Sequence, residues 1–319
     1  MINHVMRCAI LDDYQGVALG LADWSAVEAT SFPEHFDSAD DLVAAIADCE
    51  IVVIMRERTS FPAELFARLP RLKLLITSGM RNASIDLAAA ASHGVTVCGT
   101  ASSSTPPVEL TWALLLGLAR NVVAETTALR DGGPWQSTVG ADLAGSTLGL
   151  LGLGKIGSQV ARVGLAFGMD VVAWSQHLTE HRAAEIGVRL AQSQQELLAE
   201  ADFVSIHLVL SDRTRGLVGA ADLAVMRPTA YLVNTSRAAI VDQAALAEAL
   251  RVGAIAGAGL DVFDTEPLPA DSVWRLLPNV LATPHLGYVT RANYQHYFAE
   301  AVQDIAAFAA GSPIRVLSP

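Results

Sequence analysis

The stretch Leu148–Phe167 restricts what this chain can become more than any other. Leu148-Gly149-Leu150-Leu151 is a short apolar run, Gly152-Leu153-Gly154-Lys155-Ile156-Gly157 follows at once, and Ser158–Phe167 has the spacing of an amphipathic helix. A strand that feeds a helix through G-x-G-x-x-G needs a tight turn at the first glycine. It needs close backbone approach at the second and helix–strand packing at the third. The helix start then presents N–H donors and the positive end of its dipole to an anion. Gly152, Gly154 and Gly157, with Lys155 and Ile156, are therefore expected to cradle a dinucleotide pyrophosphate. In a chain with 24 glycines the sextet alone says little; the strand before it and the helix after it give it meaning.

The rest of the chain alternates in the same way. Before the loop, Cys8–Leu11, Ile51–Met55, Leu72–Thr77 and Val95–Cys98 read as strands. Asp40–Asp48, a helix opened by Pro62, and Ser84–Ser92 read as helices. Ala101–Pro107 is a polar, proline-bearing break, and one long apolar helix is expected from Val108 to about Leu129. After the loop come strands at Asp170–Trp174, Phe203–Leu208, Tyr231–Val233, Ala256–Val262 and Val280–Ala282. Helices are expected at Gln243–Arg251 and Thr290–Ala310. Strands alternating with helices predict parallel sheets covered on both faces, an α/β fold. With 319 residues, two domains are expected.

Composition narrows the function classes. Hydrophobic residues make up 52% and charged residues 17%, which excludes a disordered chain. The net charge of −12 disfavours nucleic acid and anionic membranes as partners. The longest apolar stretch, Leu110–Ala119, is cut by Glu109 and Arg120, well short of the roughly 18–20 residues of a membrane span. The N-terminus reaches Asp12 and Asp13 without a signal-peptide core. Cys8, Cys49 and Cys98 are too few for a disulfide framework, so a cytoplasmic location is expected. His177-Leu178-Thr179-Glu180-His181 matches the inverted zinc-peptidase pattern, but it falls at a strand end where a helix only begins, and no metal is expected.

A site that prefers NAD carries an acid at the end of the second strand, about 20 residues past the glycines. Here that strand runs into Ser175, Gln176 and His177. An acid would accept from the ribose 2′-OH and repel a 2′-phosphate; without it, NADP is not penalised. The expected cofactor is NAD or NADP, with Ser175 and Gln176 in its site and Arg182 in reach.

Three polar groups follow apolar strands in the second half. Arg237 follows Tyr231–Val233, Glu266 lies in the loop after Gly259–Phe263, and His285 follows Val280–Ala282. Ligands of open parallel sheets bind outside the carboxyl ends of the strands. In the usual order 3-2-1-4-5-6, strands four, five and six are expected to bring Arg237, Glu266 and His285 to the dinucleotide. A carboxylate beside an imidazole favours its protonated form and fixes its tautomer. Such a histidine donates a proton to a carbonyl oxygen and takes it back in reverse. A guanidinium matches a carboxylate bidentately. Together they suit a 2-oxo acid reduced to a 2-hydroxy acid.

These segments resemble the D-isomer-specific 2-hydroxyacid dehydrogenase family, which includes phosphoglycerate, glyoxylate/hydroxypyruvate and formate dehydrogenases. The resemblance rests on Leu150–Gly157, on Leu232–Arg237 with Val241-Asp242, on Gly257–Phe263 with Glu266-Pro267, and on Pro278–Val280 with Thr283-Pro284-His285. It implies a Rossmann dinucleotide-binding domain (101–287) inserted into a flavodoxin-like substrate domain (1–100 plus 288–319), and a homodimer. It implies catalytic roles for Arg237, Glu266 and His285. It adds His207, Thr235, Ser236, Asp261, His285 and Gly287 to the cofactor set, Asp261 toward the nicotinamide carboxamide. It places Ser78, Gly79 and Met80 at the substrate, together with Arg237; backbone amides of Ser78–Asn82 are expected to meet its carboxylate. Two departures stand out: Ala238-Ala239 replace glycines after the arginine, and Met80-Arg81 enter the substrate loop. Arg56 or Arg81 is expected to recognise a second anionic group on the substrate. The alternative is a nucleotide-sensing, corepressor-like protein with the same fold, which turnover of any 2-oxo acid excludes.

Overall fold

The computed structural model describes residues 5–319, which form two compact units: one runs to Ser103 and resumes over Thr290–Pro319, the other is Ser104–Val289. In the first, β1 (Arg7–Ile10), α1 (Ala18–Leu21), β2 (Glu28–Ser31), α2 (Ala39–Ile46) and β3 (Ile51–Ile54) are followed by α3 (Ala63–Arg68), β4 (Leu74–Thr77), α4 (Leu87–Ser92) and β5 (Thr96–Gly99). The strands form a parallel sheet in the order β2-β1-β3-β4-β5. All of β3 and β4 is buried, which is why Ile51–Ile54 and Leu74–Leu75-Ile76 are unbroken apolar runs: helices cover both faces. Edge strand β2, Glu-Ala-Thr-Ser, has no apolar run and was not expected. Ser38 and Asp86 cap α2 and α4 by accepting from the amides of Asp41 and Ala89. Pro62 is the residue before α3 rather than its first turn.

The second unit holds α5 (Thr105–Ala119), α6 (Val122–Arg130), β6 (Thr147–Leu151), α7 (Lys155–Ala166), β7 (Asp170–Trp174), α8 (Glu180–Ile186), β8 (Arg189–Leu190) and α9 (Gln194–Glu200). It continues with β9 (Phe203–Ile206), α10 (Ala220–Val225), β10 (Tyr231–Asn234), α11 (Gln243–Arg251), β11 (Gly257–Leu260), α12 (Val273–Leu276) and β12 (Val280–Ala282). The chain then returns to the first unit as α13 (Arg291–Ala309). Past α13, the Leu317 amide donates to Val97 O and the Gly99 amide to Arg315 O, an antiparallel bridge along β5.

The second sheet is also parallel, in the order β12-β11-β10-β9-β6-β7-β8. Its strands alternate between two cores. Leu148, Leu150, Val171 and Ala173 pack with α5 and α7, whereas Leu151, Val172, Ile206 and Leu232 pack with α9 and α11.

Two expectations on this unit are corrected. The long helix from Val108 is two helices bent by 64°, because Asn121 takes a left-handed conformation (φ 50°) between them. The third strand is the two-residue β8, too short to signal itself, so Phe203–Ile206 is the fourth strand beside β6. Arg237, Glu266 and His285 consequently follow strands five, six and seven. No single helix among the described residues is long and apolar enough to cross a membrane.

Candidate active site

The glycine loop leaves β6 as the sequence implies. Gly152 has φ 104°, and its amide donates to Trp174 O on the neighbouring strand. A Cβ there would lie 2.8 Å from His207 O, and one on Gly157 would run into Gly152 O; only glycine lets turn and helix close together. Gly154 precedes α7, and nothing lies within 4 Å of where its Cβ would be. No side chain caps this helix. The amides of Lys155, Ile156 and Gly157 therefore face outward with no intrahelical acceptor. An open approach at Gly154 and uncapped donors beyond it fit a dinucleotide pyrophosphate.

Beyond β9, His207 donates its amide to Leu151 O, and its Nε2 lies 2.9 Å from Ser205 Oγ. Burial pushes its pKa down to about 4. Ser175 and Gln176 follow β7 at the sheet's carboxyl end, beside the glycine loop.

Beyond β10, buried Asn234 shapes the turn: its Nδ2 donates to Arg237 O, and its Oδ1 accepts from the Ser236 amide. Ser236 Oγ donates to Leu208 O at 2.5 Å, tying this turn to the one after β9. Thr235 and Thr111 hydroxyls lie 2.8 Å apart, joining the turn to α5. Arg237 Nη1 donates to Ser236 O at 2.8 Å.

Beyond β11 and β12 the geometry tightens. His285 Nδ1 lies 2.7 Å from Glu266 Oε2, while Glu266 Oε1 accepts from the Phe263 amide at 2.9 Å. The carboxylate accepts, so Nδ1 carries the hydrogen and Nε2 is left for a ligand. His285 sits at φ 51°, a left-handed conformation that costs a non-glycine residue about 1–3 kcal/mol and collects at functional sites. The fully buried Asp261 holds it there. Oδ1 accepts from Thr283 Oγ1 and the Leu286 amide, both at 2.7 Å, and Oδ2 accepts from the Gly287 amide at 2.8 Å. Desolvation raises the pKa of Asp261, against these hydrogen bonds and the nearby His285. Its carboxylate is thus largely spent on the turn that carries His285, a role sequence reasoning missed although Thr283 stands in the same motif.

In the first unit, the Ser78 amide donates to Ile54 O and the Gly79 amide to Thr100 Oγ1. The Ser78 and Gly79 amides are thus engaged within the fold, which takes them out of the expected carboxylate contact and leaves those of Met80, Arg81 and Asn82. Arg56, at φ 56°, lays its guanidinium against Gly79; its amide donates to Ser78 Oγ and its carbonyl accepts from Asn82 Nδ2. The zinc-like His177 and His181 do not share a helical face, since α8 begins at Glu180.

A glycine loop on a doubly wound parallel sheet, with an imidazole–carboxylate pair at its carboxyl edge, defines an NAD-binding oxidoreductase. Residues 112–287 match the model of the D-isomer specific 2-hydroxyacid dehydrogenase, NAD binding domain. The chain belongs to that family and is an NAD(P)-dependent enzyme of it. It is 39% identical to the glyoxylate reductase of Aeropyrum pernix over 78% of this chain and 76% of that protein. It is 36% identical to the D-3-phosphoglycerate dehydrogenase of Bacillus subtilis over 82% of this chain, but spans only 50% of that protein. Among solved structures, it resembles a phosphoglycerate oxidoreductase from Vibrio cholerae with a TM-score of 0.92 and 36% identity, covering 97% of this chain and 100% of the other.

Proposed function

We propose that this chain interconverts a 2-oxo acid and its D-2-hydroxy acid, with His285 as acid–base catalyst, Glu266 as its orienting partner and Arg237 as the carboxylate ligand. The observation that carries the reading is the 2.7 Å contact between His285 Nδ1 and Glu266 Oε2, which leaves Nε2 to serve the substrate. NAD(H), held by its pyrophosphate on Gly152–Gly157, would supply the hydride for the carbonyl carbon. Nε2 donates its proton to the carbonyl oxygen, giving the hydroxyl, and accepts it in reverse. Arg237 holds the neighbouring carboxylate through its planar fork.

The relatives' names separate two kinds of substrate. Glyoxylate carries one carboxylate; 3-phosphoglycerate carries a carboxylate and a phosphate. Arg56 on Gly79, with the exposed Arg81, favours a substrate with a second anionic group. Because no acid follows β7, the enzyme uses NADPH at least as well as NADH. Steady-state kinetics with a panel of 2-oxo acids and both cofactors test all three points. No turnover defeats the dehydrogenase reading and favours the nucleotide-sensing alternative. Faster turnover of neutral-tailed acids removes Arg56 and Arg81 from recognition, and a preference for NADH above roughly tenfold, about 1.4 kcal/mol, removes the cofactor assignment.

The working unit is a homodimer. Val122, Val123 and Leu129 on α6, with Trp135 and Val139 beyond it, leave apolar surface exposed, Trp135 by 80% and Val139 by 96%. Patches of this kind mark association sites, and we assign a second copy of the chain to it. Sedimentation of Trp135→Glu should show monomer; an unchanged dimer would move the interface elsewhere. Three free thiols, Cys8, Cys49 and Cys98, suit the reducing cytoplasm that we assign to the enzyme.

A further inference from the structure

We propose that Ser175, His177, Arg182 and Arg213 form a cradle for the 2′-phosphate on the adenosine ribose of NADP(H). The inference rests on the reading above that NADPH is accepted, and it names the groups that accept it. Its first support is position. β6 and β7 are paired so that Leu151 lies beside Trp174, and the Gly152 amide donates to Trp174 O. Ser175 is therefore the first residue past the strand that flanks the glycine loop. An adenosine ribose falls there when the pyrophosphate lies on such a loop. The position holds a hydroxyl donor, not a carboxylate.

The second support comes from a different loop. β9 and β7 flank β6 on opposite sides. After β9, Ser211 and Thr214 close a compact turn. Thr214 Oγ1 accepts from the Ser211 amide at 2.8 Å and donates to Val209 O at 2.7 Å, and the Arg215 amide donates to Ser211 O at 2.9 Å. This turn sends Arg213 across to the segment after β7, where its Nη1 donates to His177 Nε2 at 3.2 Å. The bridge thus joins the segments that follow both neighbours of β6, the strand that feeds the glycine loop.

The third support is charge. In a chain of net charge −12, several arginines face carboxylates: Arg189 on Asp170 and Glu200, Arg227 on Asp202, Arg251 on Glu248, Arg315 on Asp304. Arg213 pairs with no carboxylate among the described residues and donates to an imidazole nitrogen instead. Its remaining N–H donors are left for an external acceptor. Arg182 adds a second guanidinium. Its Nη1 is held by Glu185 at 2.8 Å, while its Nη2 donates to Ser158 Oγ at 3.2 Å, on the helix that the glycine loop starts. A phosphate monoester offers three strong acceptor oxygens, which suits two guanidinium groups, an imidazole and a hydroxyl.

Calorimetric titration with adenosine 2′,5′-bisphosphate and with 5′-AMP isolates the 2′-phosphate, because the two probes differ in that group alone. The wild-type enzyme should bind the bisphosphate at least tenfold more tightly. Arg213→Ala should cut that ratio by about tenfold and leave 5′-AMP binding unchanged; Ser175→Asp should reverse it. Circular dichroism melts confirm that each variant folds. If wild-type enzyme discriminates but Arg213→Ala and Ser175→Asp keep the full ratio, the cradle is wrong while NADPH use stands. If wild-type enzyme binds both probes equally, the cradle falls while equal use of the two cofactors stands; if it binds 5′-AMP more than about tenfold more tightly, the cradle and the NADPH reading fall together.

Discussion

Two histidines stand at carboxyl ends of strands in one sheet, and their surroundings assign them opposite work. His207, past β9, has a serine hydroxyl for a partner, and burial drives its pKa down to about 4. It is neutral at physiological pH and its backbone packs against Gly152, so it shapes the glycine loop. His285, past β12, has a carboxylate at 2.7 Å and a left-handed backbone held by Asp261. One imidazole is kept without charge by desolvation; the other is given a carboxylate partner and a fixed tautomer. The lesson is that proximity to a cofactor loop does not make a histidine catalytic. A carboxylate partner that fixes its tautomer and leaves Nε2 open is what suits His285 to the proposed acid–base role.

Substitution at the two positions breaks or sharpens this contrast most directly. His285→Ala should lower kcat by roughly 10²–10⁴-fold, the range of general acid–base catalysis, with cofactor affinity nearly unchanged. His207→Gln should stay within a few-fold of wild type. Stopped-flow hydride transfer, read with a fluorescence titration of cofactor, checks both, and equal losses at the two positions would erase the distinction. Arg237→Lys comes next. It keeps the charge but loses the planar fork, so kcat/KM for 2-oxo acids should fall by at least about tenfold. Steady-state kinetics that show an unchanged kcat/KM would take Arg237 out of substrate binding.

The contrast also explains what the sequence disclosed. The glycine loop, the imidazole–carboxylate pair and the strands that carry them were legible because each is a short run with its chemistry in sequence order. β8 was not, since two residues carry no period. The break at Asn121 was not, since a left-handed residue inside an apolar run leaves the run intact. β2 hid because an edge strand with polar residues lacks the alternation that marks one. Among site features, Asp261 was picked for the cofactor, but its hold on the turn 283–287 depends on contacts over 22 to 26 residues that no local pattern encodes. Arg213 reaches His177 from 36 residues away, and only the sheet order makes them neighbours.

Asp261→Asn tests what keeps His285 in place. An amide cannot accept at both oxygens, so the Gly287 amide or the pair from Thr283 and Leu286 loses its acceptor. Leaving a buried donor unsatisfied costs about 1–3 kcal/mol. Urea unfolding of the variant should show a loss of that size. Turnover should fall with it as His285 leaves its strained backbone. Unchanged stability would mean that the turn holds itself without the carboxylate.

The smallest effect separates buried titratable groups by the sign of their pH dependence. His207 has a folded pKa near 4, below its ordinary 6.5, so the unfolded chain binds the extra proton between those values. Stability from this group is present above about pH 6.5 and is lost as pH falls toward 4. Asp304, fully buried in the other unit with Oδ2 unpartnered, is raised from 3.8 to about 6 by desolvation, against the Arg315 contact. There the folded form binds the extra proton, so stability is lost as pH rises from about 4 to 6. Hydrogen exchange resolved by peptide reads each unit separately. In Ser104–Val289, protection should decline as pH drops from 6.5, and His207→Gln should flatten that decline. In the peptides around α13, protection should decline in the opposite direction, and Asp304→Asn should flatten it. Parallel trends in the two units would mean that one global unfolding step masks both groups, and His207 would lose its assignment as a histidine kept neutral by burial.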